Sequence, residues 1–142
     1  MDYDDQNVFA KILRGEIPAE RVYENDQTLA LMDIMPRADG HCLVIPKQAV
    51  RNLLDASPEQ LAHCIQTVQK LGRAVMKAFE ADGVTITQAN EPAGGQEVFH
   101  LHFHVLPRHD GERLRRPASG MADPDVLKSH ADRIRAALED SG

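Results

Sequence analysis

Three histidines alternate with apolar residues between His100 and Leu106, in the order His-Leu-His-Phe-His-Val-Leu. Successive side chains of a β-strand point to opposite faces, so this spacing predicts that the three imidazoles share one face while the apolar residues pack on a core. Imidazole is a nucleophile, a metal ligand and the side chain whose unperturbed pKa lies closest to neutral pH. The row therefore predicts a chemical site.

A zinc site is one interpretation of the histidine row, because histidines at neighbouring positions on one strand face can ligate zinc. Such a site needs a further ligand that converges on it, and His41, His63 and His109 are available in the sequence. The spacing alone leaves both the nucleophilic and the metal-binding interpretation open.

The segment before the row, residues 90–96, is a glycine-containing loop. Gly94 and Gly95 allow the backbone to approach a ligand closely and to direct N–H groups at it. Asn90 and Gln96 flank the glycines with amide donors. A plain turn is the alternative, but a donor-rich loop directly before three histidines favours a phosphate held beside a nucleophile.

Hydrophobic periodicity predicts the elements that position these residues. A short helix from Val8 ends before Gly15, and a capping box of Ser57 and Gln60 starts a long helix that runs toward Gly83. A third helix starts around Asp123. The strands are predicted at 21–24, 28–33, 41–46, 84–89 and 98–106. Strands grouped around one long helix predict an α+β fold with a five-stranded antiparallel sheet.

The length of 142 residues predicts one domain, and the net charge of −6 argues against a nucleic-acid partner. No apolar stretch is long enough for a membrane span, and the acidic N-terminus has no hydrophobic signal region. Cys42 and Cys64 form no CxxC pair, which fits a reducing compartment. We therefore expect a cytoplasmic protein with neither a nucleic-acid nor a membrane partner.

Several motifs together closely resemble the histidine-triad (HIT) family, in particular its small nucleotide-binding phosphoramidases. The resemblance covers a core from about Asn7 to His109, whereas the extension 110–142 is less distinctive. The motifs that carry it are Phe9-Ala10-Lys11-Ile12, Gly15-Glu16-Ile17-Pro18, Asp33-Ile34, Gly40-His41 through Lys47, and His100 to Leu106.

The resemblance implies a hydrolase of the nucleoside phosphoramidase or dinucleoside polyphosphate hydrolase type. It cleaves a purine nucleoside 5′-phosphoramidate or related nucleotide at the α-phosphate, with His102 as the nucleophile that carries the nucleotide covalently. His100 and His104 support and polarise the site, and His41 is a fourth histidine near it. A protonated His104 is expected to stabilise the phosphate charge and to protonate the leaving group.

The resemblance also implies the nucleotide contacts. Asp33 holds the ribose hydroxyls. The residues that it implies around the phosphate are Asn90, Gly95, Gln96, Glu97 and Val98. The residues that it implies around the base are Val8, Phe9, Ile12, Leu31 and Ile34. A homodimer with sheets joined across the interface is implied, and we expect no cofactor and no metal.

Two departures from the family pattern bear on function. Many relatives bind structural zinc through two N-terminal cysteines, and Asn7 and Ala10 stand at those positions, which argues against such a site. Glu97 stands where several relatives have a small hydroxyl residue, and one hypothesis is that it favours a cationic leaving group. The alternative function is a nucleotide-binding regulatory module with little catalysis, which docks partners through 113–116 and the last helix.

Overall fold

The computed structural model describes residues 1–117 and 120–140 of the chain. These residues form three α-helices and a sheet of five antiparallel strands, which confirms the predicted α+β class. None of the described helices is both long and apolar enough to cross a membrane. In chain order the elements are α1 (Val8–Leu13), β1 (Arg21–Glu24), β2 (Thr28–Met32), β3 (Cys42–Pro46), α2 (Pro58–Ala78), β4 (Gly83–Thr87), β5 (Phe103–Arg108) and α3 (Pro124–Asp140).

The sheet has the order β1-β2-β3-β5-β4, and both of its faces are covered in part. Helices α2 and α3 pack on one face over a large aliphatic core, to which β5 contributes Phe103 and Val105. Helix α1 packs on the other face, where Phe9 and Ile12 meet apolar residues of β2 and β3. Strands β2 and β3 are buried along their whole length because helices cover both faces of the sheet there.

The start of α2 was predicted correctly, but its end was not. The Ser57 side chain accepts a hydrogen bond from the backbone N–H of Gln60, and the Gln60 side chain accepts one from the backbone of Ser57. The helix ends at Ala78 rather than near Gly83, because Glu80 adopts a left-handed backbone with φ 48°. A left-handed residue cannot continue a right-handed helix.

The predicted strand at 98–106 is wrong at both ends, since β5 begins at Phe103 and continues to Arg108. Before Phe103 the chain leaves the strand ladder: the ring of His102 bonds the carbonyl of His100, and the backbone N–H of Leu101 bonds the carbonyl of Val50, which lies in no strand. Pro107 is tolerated inside the strand because β3 pairs with β5 only from Phe103 to Val105, so that Pro107 has a partner in β4 alone. The other strand boundaries differ from the prediction by at most two residues.

The predicted extension 110–142 contains residues 118–119 and 141–142, which lie outside the described residues. Its described part crosses the loop between β2 and β3 before it enters α3. The backbone N–H of Arg115 bonds the carbonyl of Arg37, and that of Ala122 bonds the carbonyl of Ile34. The extension therefore holds the loop that leads into His41.

Gly40 is required where the chain turns into β3. Its φ is +87°, and a Cβ atom at this position would lie 2.5 Å from the ring of Phe79. A larger residue would thus suffer both backbone strain and a clash with a buried aromatic side chain. Gly40 thereby sets the position of His41, the next residue.

We predict that Gly40→Ala lowers the free energy of unfolding by about 3 kcal/mol, because left-handed strain and overpacking add. Gly15→Ala is the matched control, since Gly15 has φ +79° and no atom within 4 Å of the built Cβ. The control is expected to lose only about 1 kcal/mol. Urea unfolding measures both variants, and equal losses would show that the contact with Phe79 contributes nothing.

Candidate functional site

A cleft of about 750 Å³ opens on the α1 face of the sheet. This volume is in the range of small-molecule binding sites. The cleft brings together residues from α1, from the loop after β2, from the glycine-containing loop and from β5. The predicted site residues that line it are Val8, Phe9, Ile12, Leu31, Asp33, Ile34, His41, Gly95, Glu97, Val98, His102 and His104.

Three predicted site residues, His100, Asn90 and Gln96, are absent from the cleft lining. His100 is fully buried beside the cleft. The side-chain oxygen of Asn90 accepts a hydrogen bond from the backbone N–H of Leu53, 2.9 Å away. These positions indicate that His100 and Asn90 support the walls of the site.

The buried side chain of Gln96 organises the glycine-containing loop. Its oxygen accepts hydrogen bonds from the N–H of Glu91 at 2.8 Å and from the amide of Asn52 at 3.2 Å. Its nitrogen donates to the carbonyls of Arg51 at 2.7 Å and Val98 at 3.1 Å. With all its bonding groups in use, the Gln96 side chain shapes the loop and leaves the backbone to face a ligand.

The loop is held from outside by an ion pair between Arg51 and Glu91, which sequence spacing did not predict. Arg51 donates two hydrogen bonds to the carboxylate of Glu91, at 2.7 and 2.9 Å, and Asn52 donates a third at 2.6 Å. Glu91 has a φ of 65°, which is unusual for a residue with a side chain. Gly95 follows with φ +96°. The bidentate pair holds this strained backbone in place.

Backbone carbonyls fix the tautomers of His100 and His102. The carbonyl of Pro46 lies 2.8 Å from Nε2 of His100, and the carbonyl of His100 lies 2.7 Å from Nδ1 of His102. A carbonyl only accepts, so both of these ring nitrogens carry hydrogen. Nδ1 of His100 then accepts from the hydroxyl of Tyr3 at 2.6 Å. Nε2 of His102 is left with a free electron pair.

A backbone N–H fixes the tautomers of His41 and His104, with the hydrogen on Nε2 of each ring. The N–H of Arg37 donates to Nδ1 of His41 at 3.1 Å, so the hydrogen of neutral His41 lies on Nε2. Nε2 of His41 lies 2.9 Å from Nδ1 of His104 and donates to it. His104 therefore carries its hydrogen on Nε2. The rings of His102 and His104 are 5.2 Å apart between centroids.

All four histidines of the site are neutral near pH 7, because burial disfavours the charged form. Burial is the main cause that lowers the pKa of His41 to about 3 and those of His100 and His104 to about 4. It also lowers the pKa of His102, against the opposing effects of the His100 carbonyl and the Glu97 charge. The expected protonated His104 is thus disfavoured in the free protein.

Asp33, His41 and His104 place potential metal-ligand atoms within 4.8 Å of one another. The tautomer of His41 opposes a metal there, since its Nε2 carries hydrogen while its Nδ1 accepts the N–H of Arg37. Ligation through Nε2 would move that hydrogen to Nδ1, where it would face another donor. The cluster is better described as a hydrogen-bond chain.

Asp33 lies at the end of β2, where the loop to β3 begins. One carboxylate oxygen accepts the N–H of Met35 at 2.8 Å, and the other lies 3.5 Å from Nε2 of His41. Partial burial raises the pKa of Asp33, against the hydrogen bond from Met35. Asp33 lines the cleft, where its carboxylate oxygens have room for further hydrogen-bond donors.

Arg37 also lines the cleft, although its place in the sequence did not predict it as a site residue. Its position four residues before His41, between the strands predicted at 28–33 and 41–46, gave no signal of its own. The positive charge of Arg37 contributes to the lowered pKa values of His41 and His104. The missed apolar wall includes Ile17, Pro18 and Ala19, which follow α1. Only the fold brings these segments together.

Residues 14–111 match the HIT domain family. A HIT-like protein of Methanocaldococcus jannaschii is 42% identical over 105 residues, which are 74% of this chain and 81% of that protein. An adenylylsulfatase of Arabidopsis thaliana is 36% identical over 107 residues, 75% of this chain and 54% of that protein. A HIT-like protein from Bartonella henselae has a crystal structure with a TM-score of 0.92 and 52% identity, covering 96% of this chain and 99% of that one.

We predict that the protein loses stability as the pH falls from 6.5 toward 4. The unfolded chain binds protons near pH 6.5, whereas folded His41 and His100 bind them only near pH 3 and 4. Stability is therefore complete above pH 6.5 and falls by up to about 1.4 kcal/mol per histidine per pH unit below it. Urea unfolding at pH 7.5 and 5.5 measures the difference.

The matched variants for this prediction are His100→Asn and His63→Ala. Removing the buried titrating ring should reduce the slope of stability against pH, whereas His63 is exposed and its variant should keep the slope. Equal stability at the two pH values would contradict the assignment of neutral, buried histidines.

Proposed function

Since this chain belongs to the histidine-triad (HIT) family, we propose that it is a nucleotidyl hydrolase with His102 as nucleophile. Its substrates are purine nucleoside 5′-phosphoramidates or related nucleotides cleaved at the α-phosphate. The observation that carries this proposal is the free electron pair on Nε2 of His102, a cleft-lining ring held neutral with its hydrogen on Nδ1. The adenylylsulfatase relative supports hydrolysis at a nucleotide phosphate.

The first step forms a bond between Nε2 of His102 and the α-phosphorus while the bond from phosphorus to the leaving group breaks. The electron pair of that bond stays on the leaving atom, and an amine also takes up a proton from solvent. Because Nδ1 keeps its hydrogen, the phosphorylated ring carries a positive charge that the His100 carbonyl stabilises at 2.7 Å. Water then attacks phosphorus, the P–N bond breaks with its electron pair returning to Nε2, and the proton that the water loses passes to solvent as the nucleoside monophosphate is released. The ring departs as neutral imidazole and is ready for the next cycle.

The walls of the cleft supply the binding groups in this proposal. The backbone after Gly95 faces the phosphate, and the Nε2 hydrogen of His104 donates to a phosphate or leaving-group atom. Asp33 accepts from the ribose hydroxyls. The apolar residues of α1 and of Leu31 and Ile34 pack on a purine base, as in AMP.

We predict that His102→Ala lowers kcat/KM for adenosine 5′-phosphoramidate by about 10⁴-fold or more, because the nucleophile is lost. AMP should still bind, since the phosphate loop and apolar wall are intact. Acid-quenched wild-type protein should carry a nucleotide on His102 by mass spectrometry. His63→Ala, on the exposed side of α2, is the matched control and should keep full activity.

The outcomes separate the two candidate functions. Full turnover by His102→Ala would refute the assignment of the nucleophile. Tight binding of AMP by a wild-type protein that turns over no substrate would instead identify a nucleotide-binding regulatory module.

We also propose that two copies of the chain pair through β4. Arg135 of α3 covers the β1 edge of the sheet by donating to the carbonyl of Arg21 at 2.6 and 3.0 Å. The β4 edge has no strand partner among the described residues. Val84 and Ile86 are 38% and 41% exposed beside it, and Ile65 of α2 is 52% exposed. An open edge with apolar side chains is suited to pairing with another strand.

We predict that Ile86→Lys converts a dimer into a monomer, because a charge replaces apolar area at the joined edge. Light scattering measures the mass. Val126→Lys is the control, since Val126 is 48% exposed on α3 and away from this edge. A monomeric wild type, or a dimeric Ile86→Lys variant, would contradict the proposal.

A cytoplasmic location is a further part of the proposal. Cys42 and Cys64 are both buried free thiols, and their state is the one expected in a reducing compartment.

A further inference from the structure

Tyr3 lies before α1 and reaches a buried part of the histidine row. Its side chain is half-buried, and its hydroxyl lies 2.6 Å from Nδ1 of His100. The two rings also pack edge to face, with centroids 5.7 Å apart and planes at 67°. Since Nε2 of His100 carries its hydrogen for the carbonyl of Pro46, Nδ1 accepts and the Tyr3 hydroxyl donates. Tyr3 therefore holds one nitrogen of the His100 ring and Pro46 holds the other.

Arginine side chains hold the backbone on both sides of Tyr3. Arg51 donates through Nη1 to the carbonyl of Asp2 at 3.3 Å. Arg14 donates through Nη1 to the carbonyl of Asp5 at 2.7 Å. The position of Tyr3 is thus fixed by contacts of its neighbours as well as by its own hydroxyl, so that removal of the hydroxyl is expected to leave the aromatic ring in place.

We propose that Tyr3 is a positioning residue for the nucleophile and acts on His102 through His100. The inference rests on the proposed function, in which Nε2 of His102 attacks the α-phosphorus. It assigns a part in the reaction to a residue that lies outside both the cleft lining and the histidine row.

His100 connects Tyr3 to His102 because it bonds both of them. Its ring accepts from Tyr3, and its backbone carbonyl lies 2.7 Å from Nδ1 of His102. His100 is 0% exposed, so without the Tyr3 hydroxyl its Nδ1 would be a buried acceptor that lacks a donor. Pro46 already sets the tautomer of His100, so the Tyr3 hydroxyl adds the orientation of the ring.

Phe9 provides a second contact between His100 and the nucleophile. Its ring packs edge to face against both imidazoles, with centroids 6.3 Å from that of His100 and 5.0 Å from that of His102. Close packing transmits a displacement of one ring to the next. A shifted His100 therefore changes the approach of His102 to phosphorus, whereas the phosphate loop and the rest of the apolar wall keep their contacts.

The first test measures turnover of adenosine 5′-phosphoramidate. Tyr3→Phe should lower kcat by about tenfold, because a displaced nucleophile has to be realigned before it attacks. The dissociation constant of AMP should keep its wild-type value, whereas a general loosening of the site would raise it.

Tyr23→Phe is the matched control for this test. It removes the hydroxyl of the other tyrosine of the chain, which is half-buried in β1 and lies 3.4 Å from Nδ2 of Asn25. This variant should keep the wild-type kcat. An equal fall of kcat in both variants would remove any special role of Tyr3 and would overturn the inference.

A double-mutant cycle tests whether the effect passes through His100. His100→Gln keeps an amide N–H for the carbonyl of Pro46 but has no ring nitrogen to accept from Tyr3. In this background Tyr3→Phe should not lower kcat further. A second fall of the same size would show that Tyr3 acts by another route, contrary to the proposal.

NMR spectra of protein with isotope-labelled histidines give a readout that does not require turnover. Tyr3→Phe should move the resonance of Nδ1 in His100, which loses its donor, and that of Nδ1 in His102, whose carbonyl partner shifts. The exposed His63 should keep its resonances. A change confined to His100 would make the Tyr3 bond purely structural and would refute a positioning role.

The remaining outcomes separate this inference from the proposed function. If the wild type hydrolyses the phosphoramidate and Tyr3→Phe has the wild-type kcat, only the inference fails. If the wild type hydrolyses no nucleotide substrate, the proposed function fails and the inference with it. If Tyr3→Phe does not fold, His100→Gln decides, because it removes the same bond from the other side. A lowered kcat with unchanged AMP affinity then supports the inference, and a wild-type kcat overturns it.

Discussion

The assignment of hydrogens on the buried imidazoles is the constraint on which the site depends. Three contacts with backbone groups set it: Pro46 bonds His100, His100 bonds His102, and Arg37 bonds His41. Because a carbonyl only accepts and an N–H only donates, the neutral rings have no choice of tautomer. Nε2 of His102 therefore offers an electron pair and Nε2 of His104 offers a hydrogen, although the four side chains are chemically identical.

Much of the surrounding structure serves to hold those backbone groups. Gly40 lets the chain turn against Phe79 into His41. The Arg51–Glu91 pair and the buried Gln96 amide fix the loop before the triad. The extension bonds the loop at Arg37 from outside. Burial, which makes this arrangement possible, also keeps the rings neutral, so stability and reactivity are expected to share a dependence on pH.

The sequence predicted the elements better than the inner arrangement of the site. Apolar periodicity and the Ser57 capping box were sufficient for the α+β class and the start of α2. The alternation around the triad correctly placed Leu101, Phe103 and Val105 in the core. It did not show that His100 is buried outside the cleft lining, because that position depends on contacts with Pro46 and Tyr3, which are distant in the chain.

The sequence by itself determined the fold class, the family resemblance and the presence of three imidazoles in one short segment. Those properties depend on periodicity and spacing, which are local. Only the tertiary structure decided which ring nitrogens carry hydrogen, which ring keeps a free electron pair and which rings line the cleft. These depend on contacts such as that between His41 and His104, 63 positions apart in the chain. Which ring nitrogen carries hydrogen depends on the hydrogen-bond partner of that nitrogen. The local sequence does not predict a partner that is distant in the chain.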